Sequence, residues 1–185
     1  GKLFSFCYHK SNDKKLKHVA CSWLFFKPMN DLKGLLDEYV DRYNRPDFIP
    51  DDPICIPHQF TRLQDIEIAG FWVAMLAWGQ RKTIINKAND LLDRMDRAPY
   101  DFILNHQEED RVRFQDYVHR TFQPLDAFYF LEFLQGHYQQ HASLETAFTR
   151  SLAPDAETVE TALRGFHEYF FSLPEAPQRT RKHVA

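Results

Sequence analysis

The chain of 185 residues is long enough for one domain with a sizeable core, or for one domain with appendages. Hydrophobic residues make up 44% of it and glycine is scarce at 6, which excludes a collagen-like or low-complexity chain. The formal net charge of −3 argues against a protein that coats nucleic acid non-specifically, although a local basic patch is compatible with it.

The 3 cysteines are odd in number and show no C-x-x-C spacing. This pattern argues against a disulfide framework or a four-cysteine metal site, and it favours a reducing cytoplasm. No apolar run approaches the ~20 residues that a membrane-spanning helix needs. We therefore expect a soluble cytoplasmic protein with no membrane partner and no cofactor.

Three regions follow from the change in sequence character along the chain. Residues 1–28 mix Lys and His with a short apolar patch, and we expect a leader or extension, with an accessory helix as the alternative. Residues 29–173 are expected to form the domain, since Asn30 and Asp31 are good N-caps. Residues 174–185 are polar and basic, which favours a solvated linker that is cut before the element to which it leads.

Apolar periodicity and proline positions predict a chain of helices. Helices are expected over residues 31–43, from 61 or 65 to 78, and over 83–95, 100–105, 111–122, 125–141, 143–152 and 155–173. Four prolines in residues 44–60 favour a connector without regular structure. No segment alternates with period 2, so the sequence predicts an all-α, multi-helix orthogonal bundle.

The predicted centre of this bundle is the stretch from Thr61 to Met95. It holds a helix with enough apolar residues to be buried on several sides. Gly79 is expected to end this helix, because glycine suits the left-handed C′ position. Thr83 is the expected cap of the next helix. In the last predicted helix, the expected buried positions are Val159, Leu163, Phe166, Tyr169 and Phe170.

Four segments carry a recognisable wording: DIEIAGFWVAMLAWGQRKTI, DFIL, HRTFQPLDAFYFLEFL and RTRKHVA. They resemble an uncharacterised bacterial family, domain of unknown function 2400, and the similarity covers Met29 to Ala185. The resemblance implies that members continue into a second helical lobe, so this chain would hold roughly the N-terminal half. It draws attention to His119 and Arg120 without giving them a role.

A more distant resemblance connects FWVAMLAWGQRKTIINKANDLL with endonuclease III-like DNA glycosylases of the helix-hairpin-helix superfamily. In those proteins a glutamine at this turn helps to fill the gap that a flipped base leaves. Gln80 is the counterpart here, and Asn86, Lys87 and Ala88 match the N-K-A stretch of those proteins. The resemblance implies the N-terminal lobe of a glycosylase-like fold.

The departures from that pattern limit what the resemblance implies. An ungapped alignment on N-K-A places Gly79 opposite the glutamine, and the following aspartate becomes Lys82 or Thr83. The catalytic lysine or aspartate would lie beyond residue 185. The resemblance therefore supports common ancestry of the fold more than catalysis.

Two sets of polar residues are candidates for contact with nucleic acid. They are Gln80, Arg81, Lys82, Thr83 and Lys87 around the central turn, and Arg179, Arg181 and Lys182 in the tail. Cations beside a helix N-terminus can bind phosphate groups. The alternative is an ordinary polar surface turn and a solvated linker.

No complete catalytic motif is present, and we assign no catalytic residue and no metal ligand. His137 and His141 have the i, i+4 spacing of two metal ligands, but no H-E-x-x-H glutamate accompanies them. Asp65 and Glu67 are two positions apart on a predicted helix, so they cannot form a paired-acid site by themselves.

Three functions remain open from the sequence. The first is a DNA-binding lobe of a DNA-repair glycosylase-like protein, incomplete for catalysis, with double-stranded DNA as its partner. The second is a structural or protein-interaction domain without activity. The third is a hydrolase that uses a metal held by His137, His141 and a carboxylate. The sequence assigns no oligomeric state.

Overall fold

The computed structural model describes residues 31–174 and 176–184, which form seven α-helices and five 3₁₀ helices. The α-helices are α1 (Leu32–Tyr43), α2 (Leu63–Leu76), α3 (Arg81–Arg94), α4 (Pro99–Asn105), α5 (Pro124–Tyr138), α6 (Glu145–Thr149) and α7 (Glu160–Phe170). The 3₁₀ helices are Pro46–Asp51, Pro53–Cys55, Pro57–Gln59, Glu108–Phe114 and Gln178–Lys182. These described residues form no strand, which confirms the all-α prediction. None of their helices has the length and apolar character to cross a membrane.

Helix α1 belongs to the first of two units, whose described residues are 31–44. Asp31 caps it as predicted, because its carboxylate accepts a hydrogen bond from the amide of Gly34 at 2.8 Å. The six apolar side chains at helical spacing are all at least 38% exposed: Leu32, Leu35, Leu36, Tyr39, Val40 and Tyr43. The predicted leader, residues 1–28, lies outside the described residues.

Helix α2 is the central element of the second unit, residues 45–185, and apolar clusters cover two of its sides. One cluster is aromatic and includes Phe71, Trp72, Phe122, Phe130 and Phe170. The other is smaller and contains Ile56, Ala69, Val73, Ala88 and Leu92. Burial of apolar surface is the main force that stabilises such a bundle, so the predicted organising role of this helix is confirmed.

The predicted boundaries around the central turn were wrong by a few residues. Helix α2 ends at Leu76, so Trp78 lies outside it, in the turn. Helix α3 begins at Arg81 with Gln80 as its N-cap, and Thr83 lies within its first turn. The chain leaves the helix at Ala77, where ψ is 45°, and Gly79, with a φ of 118°, then forms the turn two residues later.

The prediction that residues 44–60 lack regular structure was also wrong. Three short 3₁₀ helices occupy most of the connector, and each begins with a proline: Pro46, Pro53 and Pro57. Proline suits the first helical position because its φ is already helical and its missing N–H would have no helical partner there. The same residues that prevent a long helix therefore start short ones.

The predicted helix over residues 111–122 does not form. A 3₁₀ helix covers Glu108–Phe114, and an isolated bridge then joins His119 to Phe122. Tyr117 is fully buried and Phe122 is 1% exposed, so this irregular segment contributes to the core. Arg120 has a φ of 55°, which a right-handed helix does not allow.

The last two helices are shorter than predicted. Helix α6 covers only Glu145–Thr149, and α7 begins at Glu160, five residues after Asp155. Two of the expected buried positions are exposed, Val159 at 62% and Leu163 at 51%. Phe166 and Phe170 are buried as expected. They share the side of α7 that faces the core with Ala162 and Gly165, which take the place of Val159 and Leu163.

Candidate nucleic-acid interface

Three segments that are distant in sequence meet at one surface. A Cβ atom at Gly79 would lie 2.5 Å from Nη2 of Arg120, so the guanidinium group rests against the backbone of the central turn. Nη2 of Arg179 donates a hydrogen bond to the carbonyl oxygen of Thr121 at 2.9 Å. The rings of Trp78 and His183 have centroids 6.5 Å apart. We call Trp78, Gly79, Arg120, Thr121 and residues 179–183 the three-segment surface.

A tight turn presents Arg120 at this surface. The amide of His119 donates to the carbonyl of Phe122 at 3.1 Å, and the amide of Phe122 donates back at 2.9 Å. Arg120 lies between them in the left-handed region, which costs a residue with a Cβ of order 1–3 kcal/mol. The packing of Phe122 in the core holds the turn in place, so the backbone from which the exposed side chain of Arg120 extends is fixed.

A buried carboxylate anchors the C-terminal segment to this surface. Asp126 is fully buried in the first turn of α5, where it accepts a hydrogen bond from the amide of Gln123 at 2.8 Å. It also accepts from Oγ1 of Thr180 at 2.7 Å. Nε of Arg179 and Nε2 of His183 each lie 3.5 Å from its Oδ2 atom. This side chain thus hydrogen-bonds Thr180 and pairs with Arg179, whereas Nε2 of His183 has no hydrogen-bond partner among the described residues.

The expectation of a solvated linker is therefore wrong for residues 176–184. Thr180 is fully buried and Val184 is 3% exposed. The sequence of this polar segment does not reveal its burial, because the partner that anchors Thr180 lies 54 residues away. Gln123 followed three residues later by Asp126 indicates a capping box at the start of α5, but that local pattern does not indicate the contact with Thr180.

The two histidines near the surface favour their neutral forms. Burial lowers the pKa of His183, although Asp126 opposes part of this effect. Burial also lowers the pKa of His119, and the backbone carbonyls of Leu76 and Trp78 oppose part of it. The positive charge of the three-segment surface therefore comes from its arginine and lysine side chains.

The cations predicted around the central turn do not all face the same way. Nε of Arg81 lies 3.5 Å from Oδ2 of Asp52, which turns its side chain toward the proline-rich connector. Nζ of Lys87 lies 3.5 Å from Asp90 on its own helix. Three further candidates, Gln80, Lys82 and Thr83, are exposed.

The C-terminal candidates are all at the surface. Arg179, Arg181 and Lys182 are exposed, and the guanidinium group of Arg181 lies over the ring of Phe171 at 4.7 Å. Sequence reasoning missed the connection between this segment and the turn at Arg120.

His137 and His141 lie side by side, with ring centroids 4.7 Å apart. Both ring nitrogens of His137 have partners, since Nδ1 lies 3.1 Å from the hydroxyl of Tyr169 and Nε2 lies 3.0 Å from the carbonyl of Ser143. Burial lowers its pKa. Within residues 31–174 and 176–184, no group of three or more His, Cys, Asp or Glu side chains could hold a metal ion.

Asp65 and Glu67 have separate partners, as their spacing predicted. Asp65 accepts a hydrogen bond from the amide of Tyr100 at 2.8 Å and so caps α4. Glu67 accepts from the hydroxyl of Tyr138 and the amide of Leu144, both at 2.9 Å, and from Oγ of Ser143 at 2.5 Å. Burial, with the charge of Glu67, raises the pKa of Tyr138. Sequence reasoning gave Glu67 no such connecting role.

These described residues define a class of protein: an all-α bundle with a basic surface assembled from three separate segments. The chain belongs to the family described as protein of unknown function (DUF2400), which matches residues 52–185. The matched region begins at residue 52, whereas the resemblance seen in the sequence begins at Met29. Neither a curated protein nor a solved structure matches the chain.

Proposed function

We propose that this chain is a nucleic-acid-binding helical domain that holds double-stranded DNA on its three-segment surface. The observation that carries the proposal is that Arg120 lies against Gly79, while Arg179 hydrogen-bonds the carbonyl of Thr121, the residue after Arg120. Phosphate contacts from arginine and lysine supply most of the affinity of non-specific DNA binding. A phosphate-binding surface requires a convergence of such side chains, and here the turn at Arg120 and residues 179–182 supply them beside the turn at Gly79.

The N-terminus of α3 adds a second group of donors to the same region. Its N-cap, Gln80, makes no side-chain capping hydrogen bond, so the first amides of the helix keep their capacity to donate. Helix α3 has 14 residues, and the N-terminus of such a helix carries a partial positive charge. A phosphate group beside Gly79 would meet both the helix amides and the guanidinium group of Arg120.

The proposal includes a relationship to endonuclease III-like DNA glycosylases, in which this chain corresponds to a DNA-binding lobe without the catalytic residue. Its support is the stretch from Phe71 to Leu92 and the position of Gln80 at the turn. Catalysis by this chain alone is not part of the proposal.

Arg120→Ala is expected to weaken binding to duplex DNA and to reduce the slope of log K against log salt by about 1, because one phosphate contact is lost. Fluorescence anisotropy with a labelled duplex at several salt concentrations measures both quantities. Lys82→Ala, which removes an exposed cation from the first turn of α3, is expected to weaken binding as well.

The matched control is Arg164→Ala. Arg164 is exposed on α7, pairs with Glu160 at 2.7 Å, and is not one of the residues of the three-segment surface. Its removal should leave affinity and salt dependence unchanged. The proposal fails if the unaltered chain shows no affinity for DNA at low salt, or if Arg164→Ala and Arg120→Ala have equal effects.

A second candidate function, protein interaction without catalysis, is favoured by helix α1. All six of its apolar side chains from Leu32 to Tyr43 are at least 38% exposed, and helices of this pattern commonly bury that face against another surface.

If α1 mediates self-association, Leu36→Glu should convert an oligomer into a monomer, because a carboxylate would replace an apolar contact. Size-exclusion chromatography with light scattering measures the change. Asp41→Asn, on the polar face of α1, serves as the control and should leave the mass unchanged. A monomeric unaltered protein at about 100 μM, well above the Kd of a stable complex, would exclude self-association through α1.

A further inference from the structure

A cavity of about 530 Å³ lies between α2, α6 and α7, within the unit that spans residues 45–185. Most of its wall is apolar and comes from one side of each helix: Phe71, Ala74, Met75, Phe148, Leu163 and Phe166. Cavities of roughly 300–1,000 Å³ with mainly apolar walls are typical of sites for small ligands.

Small residues and a set of stacked rings explain why the cavity stays open. Gly70 and Ala74 are one helical turn apart on α2, so no long side chain from that part of the helix fills the space. Phe148 stacks on Phe166 with ring centroids 3.9 Å apart, and Phe71 meets the edge of Phe166 at 5.6 Å. These ring contacts form the aromatic part of the cavity wall.

The polar groups of the cavity carry negative charge. Glu67 and Glu145 both line it, and its described lining residues include no Lys or Arg. Their remaining ionisable member is His167, on α7. An anionic ligand would face two carboxylates, whereas a cationic one would gain from both.

Glu67 also retains capacity to accept a hydrogen bond. Three donors already reach it, from Tyr138, Ser143 and Leu144. A carboxylate offers about four acceptor positions, so one remains. The three donors fix the orientation of this half-buried carboxylate, which is the arrangement that a recognition group requires.

We propose that this cavity binds a small apolar molecule that carries a protonated amine. The apolar part lies among Phe71, Phe148 and Phe166, and the ammonium group donates to the remaining acceptor position of Glu67, with Glu145 adding to the negative potential. The proposed amine site uses none of the residues of the three-segment surface, so either proposal can fail without the other.

Three probes with the same ring system test the charge preference: 1-naphthylmethylamine, 1-naphthalenemethanol and 1-naphthoate. Isothermal titration calorimetry with the full chain should show the amine binding at least about tenfold more tightly than the carboxylate, with the alcohol between them. Failure of all three probes to bind at about 1 mM, or equal affinity for the amine and the carboxylate, would overturn the proposal.

Two variants locate the site. Ala74→Leu adds bulk at the exposed part of the wall and should abolish binding of the amine, whereas Ala153→Leu, at an exposed position outside the cavity, should not. Glu145→Gln should reduce the preference for the amine over the alcohol, whereas Glu168→Gln, exposed on α7 outside the lining, should leave it unchanged. Because Glu145 is exposed, its change tests the proposal even if Ala74→Leu does not fold. Unaltered binding in Ala74→Leu, or equal preference in the two glutamate variants, would exclude this cavity as the site.

Discussion

Asp126→Ala is expected to lower the free energy of unfolding by about 3 kcal/mol, because it removes a buried carboxylate from partners that remain in place. The amide of Gln123 and the hydroxyl of Thr180 would each lose an acceptor, and Arg179 would lose its countercharge. Urea denaturation followed by circular dichroism measures the change. Trypsin should also cleave the variant faster at Arg179, since the segment loses its anchor.

A matched control exists at Asp110. Its carboxylate accepts a hydrogen bond from the amide of Gln107 at 3.0 Å, in a capping box like that of Gln123 and Asp126. Asp110 is only half-buried and has no partner equivalent to Thr180, so Asp110→Ala should cost about 1 kcal/mol. Equal costs at the two positions would show that Asp126 acts as a local cap and does not anchor the C-terminal segment.

Trp72→Ala is expected to lower the free energy of unfolding by about 3–5 kcal/mol, because it would leave a large cavity in the centre of the aromatic cluster. The indole is 1% exposed, and its ring centroid lies 4.9 Å from that of Phe130 and 5.9 Å from that of Phe122. Thermal or urea denaturation measures the loss.

Trp78→Ala is the comparison that separates burial from residue type. Trp78 is 51% exposed in the turn after α2, so its removal should cost less than about 1 kcal/mol. If the two tryptophan variants were equally destabilised, α2 would not be the centre of the core.

The helices with strong apolar periodicity could be predicted from the sequence, and the segments without it could not. Helix α3 shows this well, since Ile84, Ala88 and Leu91 are buried at helical spacing. Residues 111–122 carry a similar number of apolar residues, but Tyr117 and Phe122 reach the core from an irregular segment. Tertiary contacts determine such segments, and no local pattern encodes them.

The same limit applies to the candidate surface. The turn at Gly79 was predictable, because a glycine that follows an apolar helix commonly marks the end of that helix. The contact between that turn and Arg120 was not, because the two lie far apart in the chain. The role of Asp126 depends on a partner 54 residues later, and local sequence reasoning treated the two segments separately.

The contact between Gly79 and Arg120 makes the two positions thermodynamically coupled. The guanidinium group occupies the volume that a side chain at Gly79 would need, and its Nε atom lies 2.8 Å from that Cβ position. A substitution at Gly79 would therefore both strain the backbone, where φ is 118°, and displace the arginine. Once Arg120 is truncated, only the backbone strain remains, so the effects of the two changes are not additive. The turn and the cation beside it consequently form one energetic unit, and neither can change without consequence for the other.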